Sequence, residues 1–233
     1  KTAGQAVLGQ PFYLGEVNHG WPSPFDYEAP LLLSVLAARQ DWAGYSWHIW
    51  SPRPCSAEPP ATILGPMDLA ANPTKLGQLL VAAAVLRGGL IDPADGLLVQ
   101  DGTLTQPPAA GFPAGADTPG SGDLQLWLDH QVRTTHDPAQ LGPRIATPGP
   151  VTWGSDETLV VDAPGVAAVI STGAPGVTAV LRTGGGPGAI SVVGLDAIPL
   201  AQAQDWLLTV GTRSANAGLL EASGHTVVSR GAG

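Results

Sequence analysis

The 233-residue sequence is poor in cysteine, in basic residues and in long apolar runs. Its single cysteine, Cys55, excludes an internal disulfide bond and a thiolate metal cluster, and we expect it to be a small buried or loop residue. Ten Lys and Arg stand against 19 Asp and Glu, and the net charge of -9 argues against a nucleic-acid partner. No apolar run approaches the ~20 residues that span a bilayer, so we predict no membrane-spanning segment.

The residues that are present indicate a packed globular protein. Hydrophobic residues make up 44% of the chain and charged residues 12%, which is not a composition typical of disorder. The 31 glycines and 23 prolines predict many turns and long irregular connections. The sequence starts at Lys1 without a signal peptide, which we interpret as a processed product or a piece of a longer chain. We expect an extracellular or cell-surface location, although the composition alone favours no compartment.

The first 90 residues alternate between strands and helices. Turn-bounded apolar runs and helical periodicity predict, in chain order, a strand at 6–16, a helix at 28–40, a strand at 45–50 and a helix at 73–87. Asp26 is the predicted N-cap of the first helix, and Asn72 precedes the second. The first strand therefore ends in a carboxylate, Glu16, and a polar aromatic loop follows it.

Beyond about Leu90 the pattern changes to short apolar runs separated by Gly, Pro and Asp. We predict strands at 96–99, 124–128, 151–153, 158–162, 166–171, 177–182, 189–194, 205–212 and 226–229. Strands at this spacing without intervening helices are typical of an antiparallel β-sandwich.

The strand at 45–50 predicts two different faces. Alternation places one set on each side: Tyr45, Trp47 and Ile49 on the first, and Ser46, His48 and Trp50 on the second. We expect the first set to pack against the helices. In a barrel, the second set would then face the barrel axis, with Trp50 at the C-terminal mouth, where β/α barrels keep their chemistry.

The order of these segments resembles the end of a glycoside hydrolase of the clan with a β/α barrel and two catalytic glutamates. PFYLGEVNHGWPSPFDYEAPLLL resembles the seventh strand and following helix, DWAGYSWHIWS the eighth strand, and MDLAANPTKLGQLLVAAAVLRGG the eighth helix. VTWGSDETLVVDAPGVAAVIS and LDAIPLAQAQDWLLTVGTRSANAGL resemble strands of the C-terminal β-sandwich. The resemblance implies an α+β chain: a partial β/α barrel (the final two β/α units) at residues 1–90 and an antiparallel β-sandwich at 91–233.

The resemblance also implies roles for residues near the first strand end. Glu16, in its Glu-x-Asn-His setting, matches the nucleophile of a retaining glycosidase. Asn18 and His19 would orient it or contact sugar hydroxyls, and His48 would hydrogen-bond in the pocket. Trp21 and Trp50 are candidates for stacking on a pyranose face, although tryptophans pack in cores and interfaces more often.

The sequence departs from the family in lacking a second strand-end glutamate. The family's acid/base glutamate follows an asparagine on the fourth strand, and no Asn-Glu pair occurs here. The other glutamates, Glu28, Glu58, Glu157 and Glu221, do not end a strand that leads into a helix. We therefore expect the isolated chain to be inactive, and we predict no metal and no cofactor.

Two functions remain open. The chain is either the nucleophile part of a carbohydrate-active enzyme, completed by an N-terminal barrel portion or a complementary chain, or a non-catalytic structural subunit of a larger assembly. Two β/α units cannot close a barrel, so open strand edges and apolar helix faces would need a protein partner in either case. A carbohydrate-binding sandwich without hydrolysis is a third, weaker possibility.

Overall fold

The computed structural model describes residues 5–52, 62–102, 124–144, 146–154, 158–171, 173, 176–178, 181–182, 186–196, 198–214, 219–222 and 225–228. Cys55, Glu58 and Glu157 lie outside these residues. The chain has a mixed α+β fold, with few helices and several antiparallel pairings. None of the helices within these ranges has the length and apolar character needed to cross a membrane.

Three α-helices and twelve strands make up the described fold. The helices are α1 (Ala29–Arg39), α2 (Pro73–Arg87) and α3 (Leu124–Asp129), and 3-10 turns cover Asp26–Glu28 and Pro138–Gln140. The strands are β1 (Tyr13–Val17), β2 (Gly44–Trp47), β3 (Gly96–Asp101), β4 (His130–Thr135), β5 (Gly142–Arg144), β6 (Val151–Trp153), β7 (Thr158–Ala163), β8 (Val166–Ser171), β9 (Gly188–Gly194), β10 (Trp206–Gly211), β11 (Leu219–Ala222) and β12 (His225–Val228).

The main core lies between two helices and an antiparallel sheet. The sheet has five strands in the order β10-β9-β8-β7-β6. Apolar residues from both helices and the sheet form one cluster, which includes Leu31, Val35, Val81, Val85, Val166, Ala168 and Ile170. Each fully buried Val or Leu contributes about 1.5–3 kcal/mol relative to an exposed one. The core thus joins helices from residues 1–90 to strands from residues 91–233.

A second, smaller core supports the parallel pair that β1 and β2 form. β1 and β2 pair in parallel, and α1 connects them. Leu14 and Tyr45 from this pair pack against a cluster formed by Ala37, Trp42, Trp127 and Val132. A three-stranded sheet of order β4-β3-β5 lies beside it. One face of the β1–β2 pair is therefore fixed to the protein interior.

Several sequence predictions match the observed elements. α2 spans the predicted residues 73–87, and the Asn72 side chain accepts a hydrogen bond from the Lys75 backbone N–H, as expected of an N-cap. β8 has the predicted bounds, and β3, β6, β7, β9 and β10 agree within two residues at each end. The parallel pair is shorter than expected, because Ile49 and Trp50 form backbone hydrogen bonds with the segment 67–70 instead.

Three predictions about local structure were wrong or incomplete, and strand β4 was not predicted. The predicted strand at 124–128 is helix α3, because Leu124, Trp127 and Leu128 recur at helical spacing and pack inward. β4 was missed, because HQVRTT contains a single aliphatic residue. Among the described residues of the predicted strand at 177–182, Val177 and Arg182 form an isolated bridge. Asp26 caps no helix, because its buried carboxylate bonds to Asn72 instead.

Gly96 at the start of β3 allows a close approach that a methyl group would prevent. A Cβ placed there would lie 2.7 Å from the Asp129 carbonyl oxygen and 2.5 Å from the Ala146 Cβ. Gly96→Ala should therefore lower the free energy of unfolding by about 1–3 kcal/mol in urea titrations. Gly77→Ala is the matched control: it lies within α2, where a Cβ meets nothing within 4 Å, and it should raise stability by up to about 1 kcal/mol. Equal effects of the two substitutions would contradict this account.

Candidate functional site

An irregularity in the parallel pairing turns Glu16 toward the open face of the β1–β2 pair. Leu14 is the partner of Tyr45, but Val17 is the partner of Trp47, so β1 uses one residue more than β2 over this stretch. Such a bulge reverses which side the following side chains occupy. Without it, strict alternation would place Glu16 beside Leu14, which packs into the second core. The Glu16 side chain is instead 75% exposed.

Two side-chain contacts cross from β1 to β2 on this open face. Oε1 of Glu16 lies 3.8 Å from Nδ1 of His48, which is an ion pair when the imidazole is protonated. Nearer the start of the strands, the Tyr13 and Ser46 hydroxyls are hydrogen-bonded at 2.5 Å. The face therefore presents a carboxylate and an imidazole together at the carboxyl ends of two parallel strands, which is the position β/α enzymes use for reacting groups.

Asn18 joins the ends of β1 and β2 through its side-chain amide. Its Nδ2 donates to the carbonyl oxygens of His48 and Met67, each at 2.9 Å. Its Oδ1 accepts from the His19 backbone N–H at 2.8 Å and from Nζ of Lys75 at 3.0 Å. These four hydrogen bonds use all the donor and acceptor positions of the amide. Asn18 thus fixes the backbone next to Glu16 and His48, and it has no hydrogen bond left for a sugar hydroxyl.

The two candidate tryptophans lie in different environments. Trp50 is 57% exposed beyond the end of β2, whereas Trp21 is 3% exposed and its Nε1 donates to the Ser214 carbonyl oxygen at 3.0 Å. Trp21–Pro22 and His48–Ile49 are cis peptide bonds. The structure therefore exposes the side chain of Trp50 to solvent and keeps Trp21 in the interior.

A buried polar network lies behind the loop that follows Glu16. Asp26, Asn72 and Lys75 have no measurable exposure. Nδ2 of Asn72 donates to Oδ2 of Asp26 at 2.7 Å, and the Ser214 hydroxyl donates to Oδ1 of Asn72 at 2.9 Å. Nζ of Lys75 donates to the His19 carbonyl oxygen as well as to Asn18. The network connects α2 to the strand ends that hold Glu16 and His48.

Burial shifts the titration of the charged members of this network. Removal from water raises the pKa of Asp26, against the opposing effects of the Asn72 hydrogen bond and the Lys75 charge. Removal from water also lowers the pKa of Lys75, which the Asp26 carboxylate partly offsets. The pKa of His19 is lowered by burial and by Lys75, while Asp26 raises it. Asp26 and Lys75 therefore each stabilise the charged form of the other.

The structure brings four of the six predicted site residues to the strand ends as a connected group. Glu16 and His48 are in contact, Asn18 holds the backbone of His48, and the His19 carbonyl oxygen accepts from Lys75. Trp21 lies in the interior. Sequence reasoning missed Lys75, Asp26 and Asn72 as a network. The sequence does contain one signal for this network. Lys75 is the only lysine after Lys1, and it stands on an apolar helix.

No group of three or more His, Cys, Asp or Glu side chains arranged to hold a metal ion occurs in the part of the chain that the structure describes. Comparisons with protein-family models, with curated proteins and with solved structures give no match to this chain. The assignment of a function therefore depends on the geometry of the strand ends and on the resemblance described above.

Proposed function

We propose that this chain carries the nucleophile part of a retaining glycoside hydrolase and acts on a carbohydrate when the rest of a β/α barrel is supplied. The observation that carries this proposal is the β1 irregularity, which aims Glu16 to the open face beside His48. In this proposal residues 1–90 are the last two β/α units of a barrel, and the later strands form a β-sandwich. The protein would work outside the cell or at its surface.

The proposed reaction assigns one step to each of the two carboxyl groups. The ionised Glu16 carboxylate attacks the anomeric carbon and forms a glycosyl-enzyme ester, while an acid from the completing barrel portion protonates the leaving oxygen. The acid then acts as a base and removes a proton from the water that cleaves the ester. His48 would orient Glu16, since Nδ1 faces the carboxylate, and the exposed Trp50 ring would pack on a sugar face.

A covalent trap tests the proposal directly. Fluorine at C2 of a glycoside destabilises the oxocarbenium-like transition states, so activated 2-deoxy-2-fluoro glycosides should accumulate the glycosyl-enzyme ester. We expect peptide mass spectrometry of the completed assembly to find one label, on the peptide that contains Glu16. A label on another carboxylate in a catalytically active assembly would contradict the assignment.

The alternative is a non-catalytic subunit that uses the same face to bind protein. It is favoured by the exposure of large side chains on the strand pair and just beyond it, since Tyr13 is 56% and Trp50 is 57% exposed. Exposed aromatic residues on an open strand pair are typical of protein contacts. This alternative predicts that Trp50→Ala weakens binding of the complementary chain at least tenfold in calorimetry. It also predicts that no fluoro glycoside labels the assembly.

A further inference from the structure

β10 is an edge strand that exposes apolar side chains. Its only partner among the strands that the structure describes is β9. Trp206, Leu208 and Val210 alternate on one face and are 58%, 46% and 68% exposed. The six residues of the strand, WLLTVG, include no charge and no proline. Edge strands normally carry charged residues or prolines, which prevent pairing with another chain. Because β10 has neither, its free edge has the properties of an interface.

The backbone of the same three residues points to the open edge. The Leu195 N–H donates to the Asp205 carbonyl oxygen at 2.9 Å, which makes 195 and 205 a hydrogen-bonded antiparallel pair. The Gly194 N–H donates to the Gly165 carbonyl oxygen on the other side of β9, as the alternating pattern requires. Residues 207, 209 and 211 therefore bond to β9, and residues 206, 208 and 210 direct their N–H and C=O groups outward.

We propose that β10 pairs antiparallel with β10 of a second copy of this chain, with Leu208 opposite Leu208 on a two-fold axis. In this register Trp206 of each copy lies opposite Val210 of the other. All three pairs are then hydrogen-bonded pairs, so six outward backbone bonds form at once. The two five-stranded sheets become one ten-stranded sheet.

Side-chain complementarity favours a second copy as the occupant. A two-fold axis perpendicular to the sheet keeps equivalent residues on the same face, so the exposed Trp206, Leu208 and Val210 meet the same three residues in reverse order. The strand itself brings no like charges together despite the net charge of -9.

Cysteine crosslinking tests both the interface and its register. In a Cys55→Ser background, Leu208→Cys should form a disulfide-linked dimer under mild oxidation, because hydrogen-bonded partners have Cα atoms about 5.5 Å apart. Val210→Cys is the matched control. It is equally accessible, but its two copies would be offset by four residues, or about 13 Å, and should not crosslink. Sedimentation of the unmodified protein should show mass rising from one chain to two with concentration.

Leu208→Pro provides a second test that preserves the fold. It removes an outward N–H and no bond to β9, so the circular dichroism spectrum should be retained while the dimer is lost. The proposal is wrong if the protein stays monomeric at all concentrations and Leu208→Cys yields no crosslinked dimer. This holds even if another partner is found to cover the β10 edge. Crosslinking of Val210→Cys as efficient as that of Leu208→Cys overturns the register. These results do not depend on Glu16, so they are independent of the glycosidase proposal.

Discussion

Glu16→Gln in the completed assembly should reduce glycoside turnover by at least about 10³-fold, because the neutral amide cannot form the glycosyl-enzyme ester. The substitution preserves the size of the side chain, and the existing side chain is 75% exposed. We therefore expect the melting temperature to stay within about 1 °C of the unmodified protein. Initial rates with an activated aryl glycoside measure the effect.

Glu28→Gln is the matched control for this experiment. It makes the same chemical change at the other glutamate whose side chain the structure describes, in the 3-10 turn before α1. The turnover rate of the Glu28→Gln assembly should stay within about twofold of the rate of the unmodified assembly. An external anion such as azide should partly restore turnover to a Glu16→Ala variant, since a small nucleophile can occupy the vacated space. Full activity of the Glu16→Gln assembly would remove Glu16 from the mechanism and leave the binding subunit as the better account.

The position of Glu16 illustrates what the sequence can and cannot predict. That a carboxylate follows an apolar strand can be read directly from YLGEV. Which way the carboxylate points depends on the pairing between β1 and β2, and the one-residue irregularity that decides it is a property of two strands 30 residues apart. Period-two reasoning within one strand cannot detect it. The faces of β2, in contrast, follow plain alternation, since Tyr45 packs inward and Ser46 contacts Tyr13 on the open side.

Buried polar residues were the least predictable part. A short polar residue before a helix is most often an N-cap, and this prediction is confirmed for Asn72. Asp26 has the same local pattern, yet its carboxylate is buried and accepts from Asn72, because tertiary contacts supply a stronger donor than the local backbone. Helix α3 shows the related problem that a short apolar run favours neither secondary structure on its own.

Lys75→Met should lower the free energy of unfolding by roughly 3–5 kcal/mol at neutral pH, as expected when one member of a buried charged group is removed. The methionine retains most of the apolar stem but loses the bonds to Asn18 and His19. It also leaves the buried Asp26 carboxylate without the cation that partly offsets its loss of hydration. Urea unfolding at pH 7 measures the loss. Arg87→Met, which changes an exposed cation in the last turn of the same helix, is the matched control and should cost less than about 0.5 kcal/mol.

The pH dependence of that loss separates the charge of Asp26 from the loss of packing. The folded protein raises the pKa of Asp26, so the folded state binds the proton more tightly and stability falls as pH rises through the raised pKa. Lys75→Met raises this pKa further, because an attractive charge is removed. The destabilisation by Lys75→Met should therefore be smaller at pH 4 than at pH 7, because the fraction of folded protein in which Asp26 is protonated rises as the pH falls. In an Asp26→Asn background no carboxylate titrates at this position, so the difference between the two pH values should shrink to the part that comes from His19, whose pKa Lys75 also lowers. A destabilisation that is the same at pH 4 and pH 7 in both backgrounds would show that Lys75 stabilises the loop through its hydrogen bonds alone.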